Sequence, residues 1–285
     1  MRLDNSRESK NIEDRRGARL PIGGRGKIGL GTIVLALVAI YFGVDPSIVL
    51  QNALEPPGQE SSYGTGATPE ATPETRFVSK VLADTEDAWT AIFSQKGWGS
   101  YQQPKLVLFS GATPTACGTG QSAMGPFYCP GDSKVYLDLS FFRQMAQQLN
   151  SPGDFAQAYV IAHEVAHHVQ HLRGITDQAE QLRRRSDAAA SNQISVRVEL
   201  QADCLAGVWA HHSDAQRNTL EAGDIEEALN AASAIGDDKL QQQSQGYIVP
   251  DSFTHGSSAQ RVRWFKRGFQ EGDPAQCDTF NIATL

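Results

Sequence analysis

The sequence predicts an α+β fold, a small sheet followed by a mostly helical body, with one transmembrane helix ahead of both. Three observations carry this. Two short segments, 105–110 with Leu-Val-Leu-Phe and 134–140 with Val-Tyr-Leu-Asp-Leu, are rich in strand formers. From 141 to about 240 apolar residues recur at helical spacing, and a last helix is expected near 259–269. Residues 28–44 contain no charged side chain.

In chain order, residues 1–27 read as a structureless cytoplasmic tail, with eight Lys/Arg against four Asp/Glu. The uncharged run 28–44 is at the short end of the roughly 17 to 25 residues that cross a bilayer. Tyr41 and Phe42 stand at its far end, where interfacial aromatics belong. A buried core helix and a cleaved signal peptide are the alternatives. The glycines and the basic flank ending at Arg25 and Lys27 favour a span, and no small-x-small site follows the run. Arg15-Arg16 superficially suggests a twin-arginine signal, but the apolar residues expected just after it are missing. The positive-inside bias then leaves the N-terminus in the cytoplasm and the rest of the chain outside, a single-pass topology. Residues 45–75 form a linker, with almost no apolar content over 55–75. Residues 76–285 follow as one domain, beginning with helical spacing over 77–93 (Val78, Val81, Leu82, Ala88, Ile92).

At 285 residues, 40% apolar and 20% charged, the chain has room for one or two domains and is too polar for a multispan membrane protein. The net charge of −7 divides into +4 over 1–27 and −11 after it, so the folded part is acidic. No nucleic-acid partner is expected, because phosphate capture rests on Lys/Arg clusters and 183–185 is the one compact example.

The chemistry lies in His163-Glu164-Val165-Ala166-His167. Its helix is expected to start at Ser151-Pro152-Gly153-Asp154, read as a capping box with Pro at the first helical position, and to end at Gly174. Phe155, Tyr159, Ala162, Ala166 and Val169 make one apolar face. His163 and His167 stack one turn apart beside it and can share one metal ion. Glu164 is turned about 100° from His163, poorly placed as a ligand but able to reach a water near the metal. A solvated helix face is the bland reading, and it leaves two histidines beside small residues in an apolar helix unexplained.

Catalytic zinc takes three protein ligands, and the position six residues past His167 is Arg173 rather than a third His. Glu199 is the better candidate. It shares one face of a second helix with Asp203, and that helix turns small and apolar over 204–210. Asp203, one turn on, is placed to accept a hydrogen bond from the distal nitrogen of a ligating His. An Asp and a Glu four apart on a solvated face would be the alternative.

This pattern resembles that of the gluzincin zinc peptidases, His-Glu-x-x-His followed by Glu-x-x-(Ala/Ser)-Asp. The set Ala116-Cys-Gly118, Gly125-Pro-Phe-Tyr-Cys-Pro130, Val135-Tyr-Leu-Asp-Leu139, 162–170, 199–204 and Thr254-His-Gly-Ser-Ser258 is similar to the bacterial neutral zinc metallopeptidases, single-span membrane proteins. The resemblance implies a zincin-like body and a location in the bacterial cell membrane. It implies one Zn2+ held by His163, His167 and Glu199, with Glu164 as general base and a peptide or protein as substrate. His255 resembles a histidine that stabilises the oxyanion in such peptidases; a loop His without a role is the alternative. By the same analogy, 135–139 would offer a sheet edge to an extended substrate.

Export favours oxidised thiols, and four cysteines allow three pairings. Cys117 with Cys129 and Cys204 with Cys277 are favoured. Cys204 as a fourth zinc ligand would close the site to water. His168, His171, His211 and His212 read as structural or exposed. A zinc-stabilised binding module and an assembly factor at the membrane surface stay open as functions, and Glu164 argues against both.

Overall fold

Strand formers at Lys105–Phe109 (β2) and Lys134–Asp138 (β6) make the centre of a four-stranded sheet in a computed structural model that describes residues 1–4, 6–17, 71–282 and 284–285. Ile12–Asp14 (β1) flanks β2, and Phe127–Cys129 (β5) flanks β6, giving the order β1-β2-β6-β5. β1, β2 and β6 run parallel and β5 antiparallel. Residues 106–109 and 135–138 are buried on both faces, which is why these strands read as near-continuous apolar runs rather than as an alternation. A separate hairpin pairs Ala112–Thr115 (β3) with Gly118–Gln121 (β4).

The fold is α+β, as the sequence predicts, and Met1–Arg16 belongs to the same compact unit as Pro69–Leu285. Two details of the domain division therefore differ. Residues 1–16 are not a structureless tail: Ile12, Glu13 and Asp14 pair with Leu106, Val107 and Leu108, and Leu3 is buried in the core. Three residues are too few to show a period, so the strand is invisible without its partner. The domain also starts before 76, because Thr72 and Thr75 cap each other reciprocally and Pro73 opens a helix over Pro73–Lys96 (α1). The expected span 28–44 lies outside the described residues, and among the described residues no helix is long and apolar enough to cross a membrane.

After the sheet the chain is helical: Ser140–Gln148 (α2), Asp154–Leu172 (α3), Ile175–Arg183 (α4), Ala188–Arg217 (α5), Asp224–Ala234 (α6), Asp237–Gln245 (α7) and Ser258–Glu271 (α8). The start of α3 corrects another expectation. Its N-cap is Gly153, without a side-chain cap, while Ser151 is buried upstream. The Phe155 amide donates instead to Glu227 Oε2 of α6 at 3.1 Å, so a distant carboxylate does the work of the expected local cap. The face Phe155, Tyr159, Ala162, Ala166 and Val169 is buried, and Gly174 follows the helix in a left-handed conformation.

α5 lies against α3, and α8 crosses α5 with backbones in contact. A Cβ on Gly268 would stand 1.8 Å from the Cys204 carbonyl oxygen, and one on Gly207 2.2 Å from that of Phe265. Only glycine permits this approach, which brings the start of α8 to the face of α5 carrying Asp203. The Cys204–Cys277 disulfide ties the C-terminal segment to the same helix, and Cys117–Cys129 closes the β-hairpin onto β5. These are the pairings favoured from the sequence.

Candidate metal centre

One turn of α3 separates His163 from His167, and their ring centroids are 4.8 Å apart. Each ring has its Nδ1 occupied. His163 Nδ1 lies 2.9 Å from Asp203 Oδ1, and His167 Nδ1 lies 2.9 Å from Gln170 Oε1. Both Nδ1 atoms therefore donate, so the rings can offer a metal only their Nε2 atoms, that of His163 after giving up the proton it shares with Glu199. These face Glu199: Nε2 of His163 is 3.1 Å from Oε2, and Nε2 of His167 is 3.5 Å from Oε1. The ligand atoms of His163, His167 and Glu199 all lie within 4.8 Å of one another. Two imidazole nitrogens and one carboxylate, with no thiolate, fit the donor set of a catalytic zinc that keeps an open position.

Burial and charge are in tension throughout the cluster. For His163, burial favours the neutral ring, but Asp203 and Glu199 outweigh it and raise the pKa to about 10. Burial alone would push the Glu199 carboxyl up, and the two histidines hold it well below its usual range. Glu164 differs: burial raises its carboxyl, and His167 and His163 only partly offset this. Among the acids of the site it is the one pushed toward binding a proton.

Asp203 is wholly buried and accepts from His163, from the Tyr159 hydroxyl at 2.5 Å, and from Arg261 Nε and Nη2 at 2.8 and 2.9 Å. The guanidinium and the imidazole keep it anionic against the pull of burial. Gln170 in turn is fixed by donating to the Val198 carbonyl and to Gln201 Oε1.

A cavity of about 660 Å³ opens over these residues, lined by His163, Glu164, His167, Glu199, His255 and Arg261. Its remaining wall is largely apolar, including Met124, Phe127, Phe141, Leu149, Val160 and Leu240. His255 reaches it from the loop before α8. Its ring Nδ1 sits 3.2 Å from Asp237 Oδ1, while Asp237 Oδ2 accepts the amides of Thr254, His255 and Gly256 at 2.6–3.1 Å. The hydrogen bond to Asp237 holds the His255 pKa above its ordinary value.

The expected substrate edge is covered only in part. β5 pairs with Lys134, Val135 and Tyr136 of β6 and with nothing beyond them; past β6 it is the outer strand, and its Phe127 and Tyr128 line the cavity. His168 fixes that strand to α3. Its Nε2 donates to the Gln102 carbonyl at 2.6 Å and its Nδ1 accepts from the Tyr128 hydroxyl at 3.0 Å, with burial lowering its pKa to about 4. His211 and His212 bond to the carbonyls of Phe269 and Gly272, away from the cavity.

A family model described as "putative neutral zinc metallopeptidase" matches residues 1–280. The chain belongs to this family. Among its relatives, the uncharacterized protein YpfJ of Escherichia coli is 54% identical over 291 residues, 98% of this chain and 99% of that protein. The uncharacterized protein Mb2605 of Mycobacterium bovis is 43% identical over 264 residues, 87% of this chain and 86% of that protein. No solved structure matches the chain. In this member of the family, Gln170 and Asp237 join the site without having been singled out by the sequence, while Tyr159, read as part of an apolar face, and Arg261, which the resemblance places beside the His255 segment, both hydrogen-bond Asp203. Gln170 alone had a local signal, its spacing of three residues from His167 on one helix.

Proposed function

We propose that this chain is a zinc-dependent peptidase that hydrolyses peptide bonds, with Glu164 as general base. The observation that carries the reading is the convergence of His163, His167 and Glu199 while Glu164 stands buried in the same cavity outside that set. A structural zinc would be closed by a fourth ligand and has no use for an adjacent base. When bound, one Zn2+ supplies Lewis acidity, polarising a carbonyl and making water easier to deprotonate.

The chain's own residues do the rest. Glu164, raised by burial, takes the proton of the attacking water and delivers it to the leaving amine. His255, oriented by Asp237, donates from its other nitrogen to the carbonyl oxygen as negative charge develops there. The free edge of β5 offers backbone groups to an extended peptide, and the apolar wall accepts its side chains. The uncharged run 28–44 supports attachment to the bacterial cell membrane, and two disulfides with no free cysteine support a catalytic unit outside the cytoplasm.

The test is full-length Glu164→Gln against wild type, with zinc measured by elemental analysis and cleavage followed on an unfolded protein. Equal zinc and a loss of about 10²–10⁴-fold in cleavage are expected. Zinc-loaded wild type that cleaves no unfolded protein would point instead to a zinc-stabilised binding module.

A further inference from the structure

Glu86 on α1 is 1% exposed, and its carboxylate faces the N-terminal segment. Ser9 Oγ and Asn11 Nδ2 donate to its Oε1 at 2.5 and 2.7 Å, and Arg7 Nη2 donates to its Oε2 at 2.8 Å. Among the described residues, every hydrogen bond to that carboxylate comes from residues 7–11. Removing them would leave a buried acid without partners, an arrangement that folded proteins do not sustain. Beyond Asn11 the segment is held by backbone. Leu106 N–H donates to the Asn11 carbonyl at 2.8 Å and Arg15 N–H to the Leu108 carbonyl at 2.7 Å, at the two ends of the β1–β2 pairing. Lys134 of β6 reaches Glu13 at 2.9 Å, and Ser9 and Ser79 exchange bonds between segment and α1. The segment is thus part of the unit that carries the metal centre.

The consequence is topological. A single crossing by 28–44 would put about 30 Å of hydrocarbon between residues 1–27 and everything after the span. β1 cannot then pair with β2 of its own chain. The basic count that argues for a cytoplasmic tail also weakens, because Arg7, Arg15 and Arg16 are engaged with Glu86 and Asp87, Glu13 and Asp14 inside the folded unit.

We infer that Met1–Arg16 and the metal centre lie on the same side of the membrane. This replaces the placement of N-terminus and catalytic unit on opposite sides expected from the positive-inside bias. It does not rest on peptidase activity.

The native cysteines are all paired, so one introduced cysteine reports its own side. In full-length protein in cells, Lys10→Cys and Gln243→Cys, both at exposed positions, would be treated with a membrane-impermeant maleimide before and after permeabilisation. Identical behaviour of the two sites is expected, whether both label at once or both only after permeabilisation. Labelling of Gln243→Cys in intact cells with Lys10→Cys reached only after permeabilisation would overturn the inference. Glu8→Cys, also exposed, serves as a second N-terminal reporter should Lys10→Cys disturb folding. In the purified full chain the Arg15 and Leu106 amides should be protected from hydrogen exchange; rapid exchange at both would remove the pairing on which the inference stands.

Discussion

Asp203 joins α3, α5 and α8 through one carboxylate, because His163, Tyr159 and Arg261 all donate to it. Asp203→Asn should therefore act twice. Zinc affinity should fall by about 10–100-fold as the hydrogen bond that orients His163 weakens. Stability should fall by about 3–5 kcal/mol, because Arg261 is left buried without its counter-charge. Competition with a chromogenic chelator and urea unfolding measure the two effects. The raised pKa of His163 gives a second prediction. In metal-free protein its proton stabilises the fold fully below the unfolded value of about 6.5. That contribution is lost as pH rises through about 10. Zinc must displace this proton, so binding near neutral pH should release protons and tighten as pH rises. Calorimetry in two buffers of different ionisation enthalpy checks this; identical apparent enthalpies would contradict it.

The crossing of α5 and α8 sets where Arg261 stands, and it depends on Gly207 and Gly268 meeting backbone to backbone. In an open helix interior Gly→Ala stabilises by about 0.5–1 kcal/mol. Gly268→Ala should do the opposite, destabilising by about 1–3 kcal/mol or more, because the new methyl meets a carbonyl that belongs to a rigid helix. The sign of the change in urea midpoint decides whether the close crossing exists in solution. β6 shows the same interplay of element and site. Asp138 at its end accepts the Gly111 and Ser140 amides at 3.0 and 2.9 Å and the Ser122 hydroxyl. Burial alone would raise its pKa, but these bonds hold it below the usual carboxylate range. The stability it adds is present above the unfolded pKa of about 4 and lost as pH falls through the lower folded value.

Across the whole molecule, two covalent ties and one N-terminal strand close a unit whose ends are far apart in sequence. Cys204–Cys277 spans 73 residues and Cys117–Cys129 spans 12. Chain entropy alone assigns them about 4 and about 3 kcal/mol. Replacing the first pair with serine should thus lower the urea stability more than replacing the second, and it also frees the segment that Gln201 holds through the Cys277 carbonyl. Equal losses for the two pairs would show that local strain or residual unfolded structure outweighs loop length.

The sequence by itself determined the α+β class, the long helices and the residues offered to a metal. His163, Glu164 and His167 sit within five positions, and a helix of fixed pitch leaves little freedom in how they face one another. Pairing of the cysteines was legible for a similar reason, since few alternatives exist for four. Tertiary structure alone decided what surrounds that motif. Arg261 meets Asp203 across 58 residues and Glu227 caps α3 across 72, separations over which no local period carries information. β1 and β5 are three-residue strands whose identity lies in the neighbour they bond rather than in their own composition. For that reason the basic N-terminus read as a tail from charge alone, whereas its burial against Glu86 and β2 makes it part of the folded unit.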